Sequence, residues 1–353
     1  MNYRRFVSIV FFVVLLGIVS AASMVVYIDP YFHYHKPNPE FYYNLKSQRY
    51  QNDGILKHFD YDAIITGTSM TENFKSSEFD SLYSVNSIKV SYSGGSFKEI
   101  NDAINVAYKS GHRIKTVVRA LDSYKIIADK DAMRTDLGSY PEYLYNDNYF
   151  DDVKYVLNRD VLIKYCLPML KNKLKGKKGG ITSFDKYSNW NSYYKFGRKS
   201  VLKKEYNVDL DKKQKDFTDI DRKKVVENVQ QNITSLAEKH PETTFYYFFP
   251  PFSIVYYGDL INKGECKRRL QAEKLTVEMI LECSNIKLFS FDLMTDIATN
   301  LDNYKDTHHY GEWINSDILR YMKNNIGLLS KDNYEEFFEK RKSFYWNYPY
   351  GSI

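Results

Sequence analysis

The chain has 353 residues, 43% of them hydrophobic, and a net charge of +6 from 50 basic and 44 acidic side chains. That length buries a sizeable core without a staple, and the three cysteines, Cys166, Cys266 and Cys283, lack the paired spacing of a disulfide framework or zinc ribbon. The modest positive charge, on a chain that begins with a long apolar run, argues against nucleic acid as a partner.

Residues 6–28 carry no charge, and as a helix rising ~1.5 Å per residue they reach ~34 Å, enough for a ~30 Å hydrocarbon layer. A signal anchor is therefore expected over residues 1–28. Arg4 and Arg5 precede the run and Asp29 follows it, so the positive-inside rule leaves the N-terminus cytoplasmic and residues 29–353 extracytoplasmic, in a single-pass protein of the cell membrane. Ser20-Ala21-Ala22-Ser23 offers a cleavage point, but the apolar run continues to Ile28, longer than a signal core, and favours an uncleaved anchor. Residues 29–60 are expected as an extended stalk, because Pro30 and Pro37 interrupt any helix.

A domain of strands alternating with helices is expected over residues 61–328. The predicted strands are Ala63–Thr66, Ser87–Tyr92, Thr116–Leu121, Thr244–Phe249 and Ile286–Phe291, short and apolar enough to lie in a covered sheet. The predicted helices are Phe97–Ser110, Asp221–His240, Cys266–Cys283 and Glu312–Asn325. Right-handed crossovers of this kind imply an α/β fold with a mostly parallel sheet of about five strands and helices on both faces, a three-layer α/β/α arrangement. Residues 128–218 break the pattern with tyrosines, asparagines and lysines around a predicted helix, Asp151–Lys173, and read as an insertion capping the site. Residues 329–353 add a charged helix and an aromatic tail.

In such a fold, sites form beyond the carboxyl ends of the strands. Ser69, Ser93-Gly94-Gly95, Asp122-Ser123-Tyr124 and Pro250-Pro251-Phe252-Ser253 follow the first four strands and so share one rim. A serine hydroxyl needs a base to accept its proton, and near neutral pH that base is most often histidine. His309, with Asp306 three residues before it to fix its tautomer, is the expected base. His308 is the alternative. A developing oxyanion needs donors, and the amides of Ser69 and Gly94 are expected to supply them, with Gly95 close behind. Each signal alone has a plainer reading: Ser69 a helix N-cap, Asp306 and His309 a loop ion pair.

Weaker constellations remain. His33 and His35 lie two apart and could join His308 and His309 in a metal site, but without a clear carboxylate partner they read as juxtamembrane surface histidines, and neither a metal nor another cofactor is expected. Lys171, Lys173, Lys175, Lys177 and Lys178 suit acidic headgroups or an anionic wall polymer, or are simply a solvated face. Tyr187, Trp190, Tyr193 and Tyr194 are candidates for the wall of a glycan cleft, against the plainer role of core-edge tyrosines.

Gly67-Thr68-Ser69-Met70 opening the domain and Asp306-Thr307-His308-His309 closing it resemble the SGNH or GDSL-like hydrolase superfamily, over roughly residues 60–325. With the N-terminal span, the chain looks like the membrane-anchored branch that includes alginate O-acetyltransferase-like and teichoic-acid D-alanylation proteins. The resemblance implies nucleophile Ser69, orienting acid Asp306 and base His309, with the glycine block at Gly94 or Gly95. The Asp-x-His spacing of alginate-type relatives would select His308 instead. It further implies an acyl-serine intermediate, an acyl donor, a carbohydrate or wall-polymer acceptor, and a multi-span membrane acyltransferase as a partner. The chain departs from the pattern at the third block, where a donor asparagine is usual and Asp122 stands instead; an ionised Asp122 would repel an oxyanion.

Overall fold

In the computed structural model, which describes residues 3–136, 140–146, 148–203 and 205–353, the chain divides into two compact units. One comprises Met1–Phe59 with Leu137–Ser183, the other Asp60–Asp136 with Phe184–Ile353.

The second unit is built on five parallel strands, β1 Ala63–Gly67, β2 Ser87–Ser91, β3 Thr116–Ala120, β4 Thr244–Phe249 and β5 Ile286–Ser290. The α/β class and a five-stranded parallel sheet therefore stand as expected, and each strand ends within one residue of its predicted limit. Every residue of β1, β2 and β3 is buried, as in a sheet covered on both faces, although β2 alternates Ser87, Lys89 and Ser91 with Ile88 and Val90 and β3 carries Arg119. The strand order is β2-β1-β3-β4-β5. The chain thus runs from β1 to one side, then returns to the other side of β1, so that β1 and β3 flank the point where the winding reverses.

Helix starts follow local chemistry. Phe97–Lys109 opens with a capping box, Ser96 and Glu99 each satisfying the other's backbone amide. Asp219–Val229 opens with another, Thr218 with Asp221, although a π-turn, Gln230–Thr234, splits the single helix predicted over 221–240. Cys266–Ile280 and Glu312–Lys323 match their predicted positions. Ser76–Tyr83 and Ile254–Asn262 were not predicted. The second is buried nearly all round, so it carries no amphipathic period to detect. The aromatic tail packs on this unit: Tyr345 is buried in the helix Tyr334–Asn347, and its hydroxyl donates to Asp292 O at 2.7 Å.

In the first unit, Tyr3–Ile28 is one helix, long and apolar enough to cross a membrane. Residues 29–60 are not an extended stalk. Asp29, buried and at φ 47°, ends the helix, and its carboxylate accepts from the amides of His33 (2.9 Å), Tyr34 (2.7 Å) and His35 (3.0 Å) and from Tyr155 OH (2.8 Å). The prolines do stop the helix, but one carboxylate gathers the donors they set loose. Tyr42–Tyr43 then pairs with Gly180–Ile181, and the helix Gln48–His58 buries Ile55 and Leu56.

The segment 128–218 is correspondingly not one insertion. Residues 137–183 belong to the unit of the helix Tyr3–Ile28 and residues 184–218 to that of the sheet. The predicted helix Asp151–Lys173 is broken into Val153–Val156, Arg159–Val161, a π-turn Leu162–Cys166 and Leu167–Leu174. Asn158 caps the second piece, accepting from the amides of Asp160 and Val161.

Candidate active site

The turn after β1 begins at Gly67, whose φ of +146° lies where side chains are strained and where a Cβ would meet Thr71 Cγ2 at 2.7 Å. Thr68 and Met70 are buried on either side of a partly exposed Ser69. Groups from four other places hold this turn. The Thr68 hydroxyl donates to Asp122 at the end of β3, and Asn315 donates to Met70 O at 3.0 Å from the helix Glu312–Lys323. Lys89 of β2 donates from Nζ to the carbonyls of Glu72 and Phe74, the latter at 2.8 Å. Trp190 Nε1 reaches Ser69 O at 3.4 Å. The serine therefore sits on a backbone with little freedom left.

The second segment is a loop tied to the end of β4. Thr307 O accepts from Ser253 Oγ at 2.8 Å, Tyr304 OH donates to Pro251 O at 2.7 Å, and Tyr304 bridges Tyr310. Within it, Asp306 Oδ1 accepts from the amides of His308 and His309, each at 2.9 Å. This is the local turn that aspartate side chains favour.

The two segments meet. Ser69 Oγ lies 2.7 Å from His309 Nε2, and His309 Nδ1 lies 2.8 Å from Asp306 Oδ2 and 3.0 Å from Oδ1. An ionised Asp306 puts the ring proton on Nδ1 and leaves Nε2 as acceptor for the serine proton. Burial pushes the Asp306 carboxyl up, but the hydrogen bonds and charge of His309 and the two amides outweigh it and hold the carboxyl well below its ordinary range.

His308 goes elsewhere. Its Nδ1 is 2.8 Å from Thr307 Oγ1, and its ring packs among Phe252, Tyr124 and Tyr256, with the Tyr256 centroid 4.7 Å away. Burial lowers its pKa to about 4, so it stays neutral at pH 7. It has no hydrogen bond to Ser69.

The glycines after β2 divide. Gly94 has φ +60°, its carbonyl accepts from Lys125 Nζ at 3.0 Å, and its own amide, like that of Ser69, donates to no protein acceptor among the described residues. Gly95 is a correction: its amide is committed to Tyr92 O at 2.7 Å, closing the turn into the next helix, and is not free for an oxyanion.

Asp122 lies at the reversal between β1 and β3 and is fully buried. Its Oδ2 accepts from Thr68 and from Tyr124 OH, at 2.9 Å for the tyrosine, while Oδ1 has no hydrogen-bond partner among the described residues. Burial pushes this carboxyl up, against the pull of those two hydroxyls.

Of the tyrosine-rich candidates, Trp190 stands beside the relay, its ring edge-on to His309 with centroids 5.6 Å apart. Lys305 Nζ lies 4.0 Å from the Trp190 centroid and 3.7 Å from that of Tyr194. Tyr193 is exposed, and Tyr187 is buried, a core-edge residue rather than a cleft wall. Sequence reasoning missed Lys89 and Asn315. A lysine within a strand and an asparagine within a helix carry no local mark of what they hold. His33 Nε2 meets Asp152 Oδ1 at 3.0 Å and His35 Nε2 lies 3.0 Å from Val26 O, and no group of three or more His, Cys, Asp or Glu among the described residues is placed to hold a metal ion. No protein-family model matches this chain, and comparison with curated proteins gives no match.

Proposed function

We propose that the chain is a membrane-tethered, extracytoplasmic serine acyltransferase or esterase of SGNH type, acting on a cell-surface polysaccharide or related wall polymer through an acyl-Ser69 intermediate. The observation that carries this reading is the unbroken run Ser69 Oγ, His309, Asp306 at hydrogen-bonding distances, across 240 residues of sequence. In this mechanism His309 Nε2 takes the Ser69 proton as Oγ attacks the acyl carbonyl. The tetrahedral oxyanion is met by the amides of Ser69 and Gly94. Collapse breaks the bond to the donor's leaving oxygen, which receives the proton from His309. The acceptor hydroxyl, or water, then repeats the sequence in reverse and frees Ser69.

Three further features support the reading. With right-handed crossovers, the reversal of strand order at β1 would put helices on opposite faces of the sheet, which accords with three layers. Arg4 and Arg5 before the apolar helix favour a cytoplasmic N-terminus. The Trp190 ring beside His309, with Tyr194 packed edge-on against it, suits the apolar faces of sugars. The multi-span acyltransferase partner belongs to the same reading.

One observation favours a second reading, a non-catalytic tethered protein that binds or assembles envelope polymers: a buried carboxyl, Asp122, stands where a donor asparagine would serve an oxyanion. A serine-reactive phosphonate separates the two. The enzyme reading expects covalent label on the wild type and none on Ser69→Ala; folded wild-type protein that never labels supports the binding reading. Incubation with an activated acetyl ester then assigns the reaction, since acyl transfer responds to added glycan acceptor and hydrolysis does not.

A further inference from the structure

The lysine cluster singled out in the sequence lies in the unit that carries the anchor helix. Three residues beyond the end of that helix, Tyr31 stacks on Tyr155 with centroids 5.2 Å apart and meets Tyr165 edge-on at 5.1 Å. The helical segments of residues 153–174 are thereby fastened to the foot of the span. Their inner face is filled by Tyr155, Val161, Cys166 and Met169, all buried.

Among the described residues, the outer face leaves an apolar stripe exposed. Ile163, Leu167 and Leu174 recur at steps of four and seven residues, the spacing of one helix face, and all three are exposed, Leu174 by 79%. Just before these segments, Tyr149 and Phe150 are 81% and 93% exposed. Around the stripe, residues 159–178 hold seven basic side chains against one acidic, Asp160. Lys173 is tied down by Glu40 at 2.5 Å, but Lys171, Lys175 and Lys178 are exposed. Apolar side chains fringed by lysines, with exposed aromatic rings nearby, are what an interfacial helix presents to a bilayer, the lysines reaching into the headgroups.

We propose that this face, Ile163, Leu167 and Leu174 with the surrounding lysines, lies in the headgroup layer of an anionic bilayer beside the span, so that the tether is a span plus an interfacial helix. The proposal rests on the anchor reading of residues 1–28. A single span leaves its attached unit free to tilt and rotate; a second contact fixes its orientation.

The test uses the full chain in lipid nanodiscs, either phosphatidylcholine alone or phosphatidylcholine with phosphatidylglycerol. An NBD probe is placed at Leu174→Cys or at Val13→Cys in a Cys283→Ser background, since Cys166 and Cys266 are buried, and quenching by doxyl lipid is read. At position 13, strong quenching in both discs is expected. At position 174, quenching is expected to be about two-fold or more greater in the anionic disc, and lost in high salt or in Lys171→Gln/Lys175→Gln/Lys178→Gln. Aqueous emission without quenching at 174, with 13 quenched, overturns the interfacial face and leaves the anchor standing. Equal quenching at 174 in both discs overturns the anionic-headgroup assignment. Absence of quenching at 13 overturns the anchor and this face with it.

Discussion

Two clusters in the sheet-bearing unit pair carboxylates with a basic side chain under opposite conditions. Ser69, His309 and Asp306 lie partly open to solvent, whereas Arg341, Glu273 and Asp292 are almost wholly buried. In the closed cluster, Arg341 pairs with Glu273 and, at 3.2 Å, with Asp292, which also accepts from Tyr257 OH at 2.7 Å. Burial pushes the Asp292 carboxyl up while Arg341 opposes it. Arg341 and Tyr345 belong to the helix Tyr334–Asn347, and Asp292 lies just beyond β5. The closed cluster thus fastens the C-terminal helix, and its charges have no use for water. In the open one, the proposed chemistry needs a proton to move and an acyl group to enter. Accessibility, together with a hydroxyl and an imidazole in place of a guanidinium, separates the candidate reaction centre from the structural ion network.

The contrast is broken most sharply at Ser69. Ser69→Ala is expected to lower turnover of an activated acetyl ester by about 10⁴-fold or more, while its urea unfolding curve shifts within the range of about 0.5 kcal/mol usual for surface changes. Asp306→Asn keeps the shape of the loop but offers His309 the wrong tautomer; a fall in kcat of about 10³- to 10⁴-fold is expected in steady-state assays. The closed cluster should answer in the opposite currency. Arg341→Ala leaves buried carboxylates uncompensated and should cost about 3–5 kcal/mol in urea unfolding, with the specific activity of the folded fraction little changed. Loss of activity there without loss of stability would collapse the distinction.

His308 tests the boundary between the two. Burial depresses its pKa to about 4, against about 6.5 in the unfolded chain. Below pH 6.5 the unfolded state binds the proton that the folded state refuses, so stability falls as pH drops towards 4. This residue should account for about 2 kcal/mol of loss between pH 7 and pH 4.5. In His308→Phe that share of the pH dependence should vanish from unfolding curves, while esterase activity at pH 7 persists. If activity vanishes instead, His308 serves the chemistry as well as the packing.

The strands were legible because a covered parallel sheet demands unbroken short runs such as Ala63-Ile64-Ile65, and little else in a sequence looks like that. The apolar helix Tyr3–Ile28 was legible for the same reason on a longer scale. Ser69 and His309 were nameable from residue type and from their places after β1 and before the last crossover helix. By contrast, 29–60 read as a stalk because Pro30 and Pro37 speak locally, whereas the groups that organise it, Asp29 and Tyr155, are 126 residues apart. Local propensity and apolar periodicity are properties of neighbours in the chain, so the sequence alone determined the strands, the long apolar helix and the kinds of side chain available for chemistry. Which imidazole meets the serine, which glycine amide stays free, and which lysine holds the turn depend on groups far apart in the chain, and only packing in three dimensions decided them.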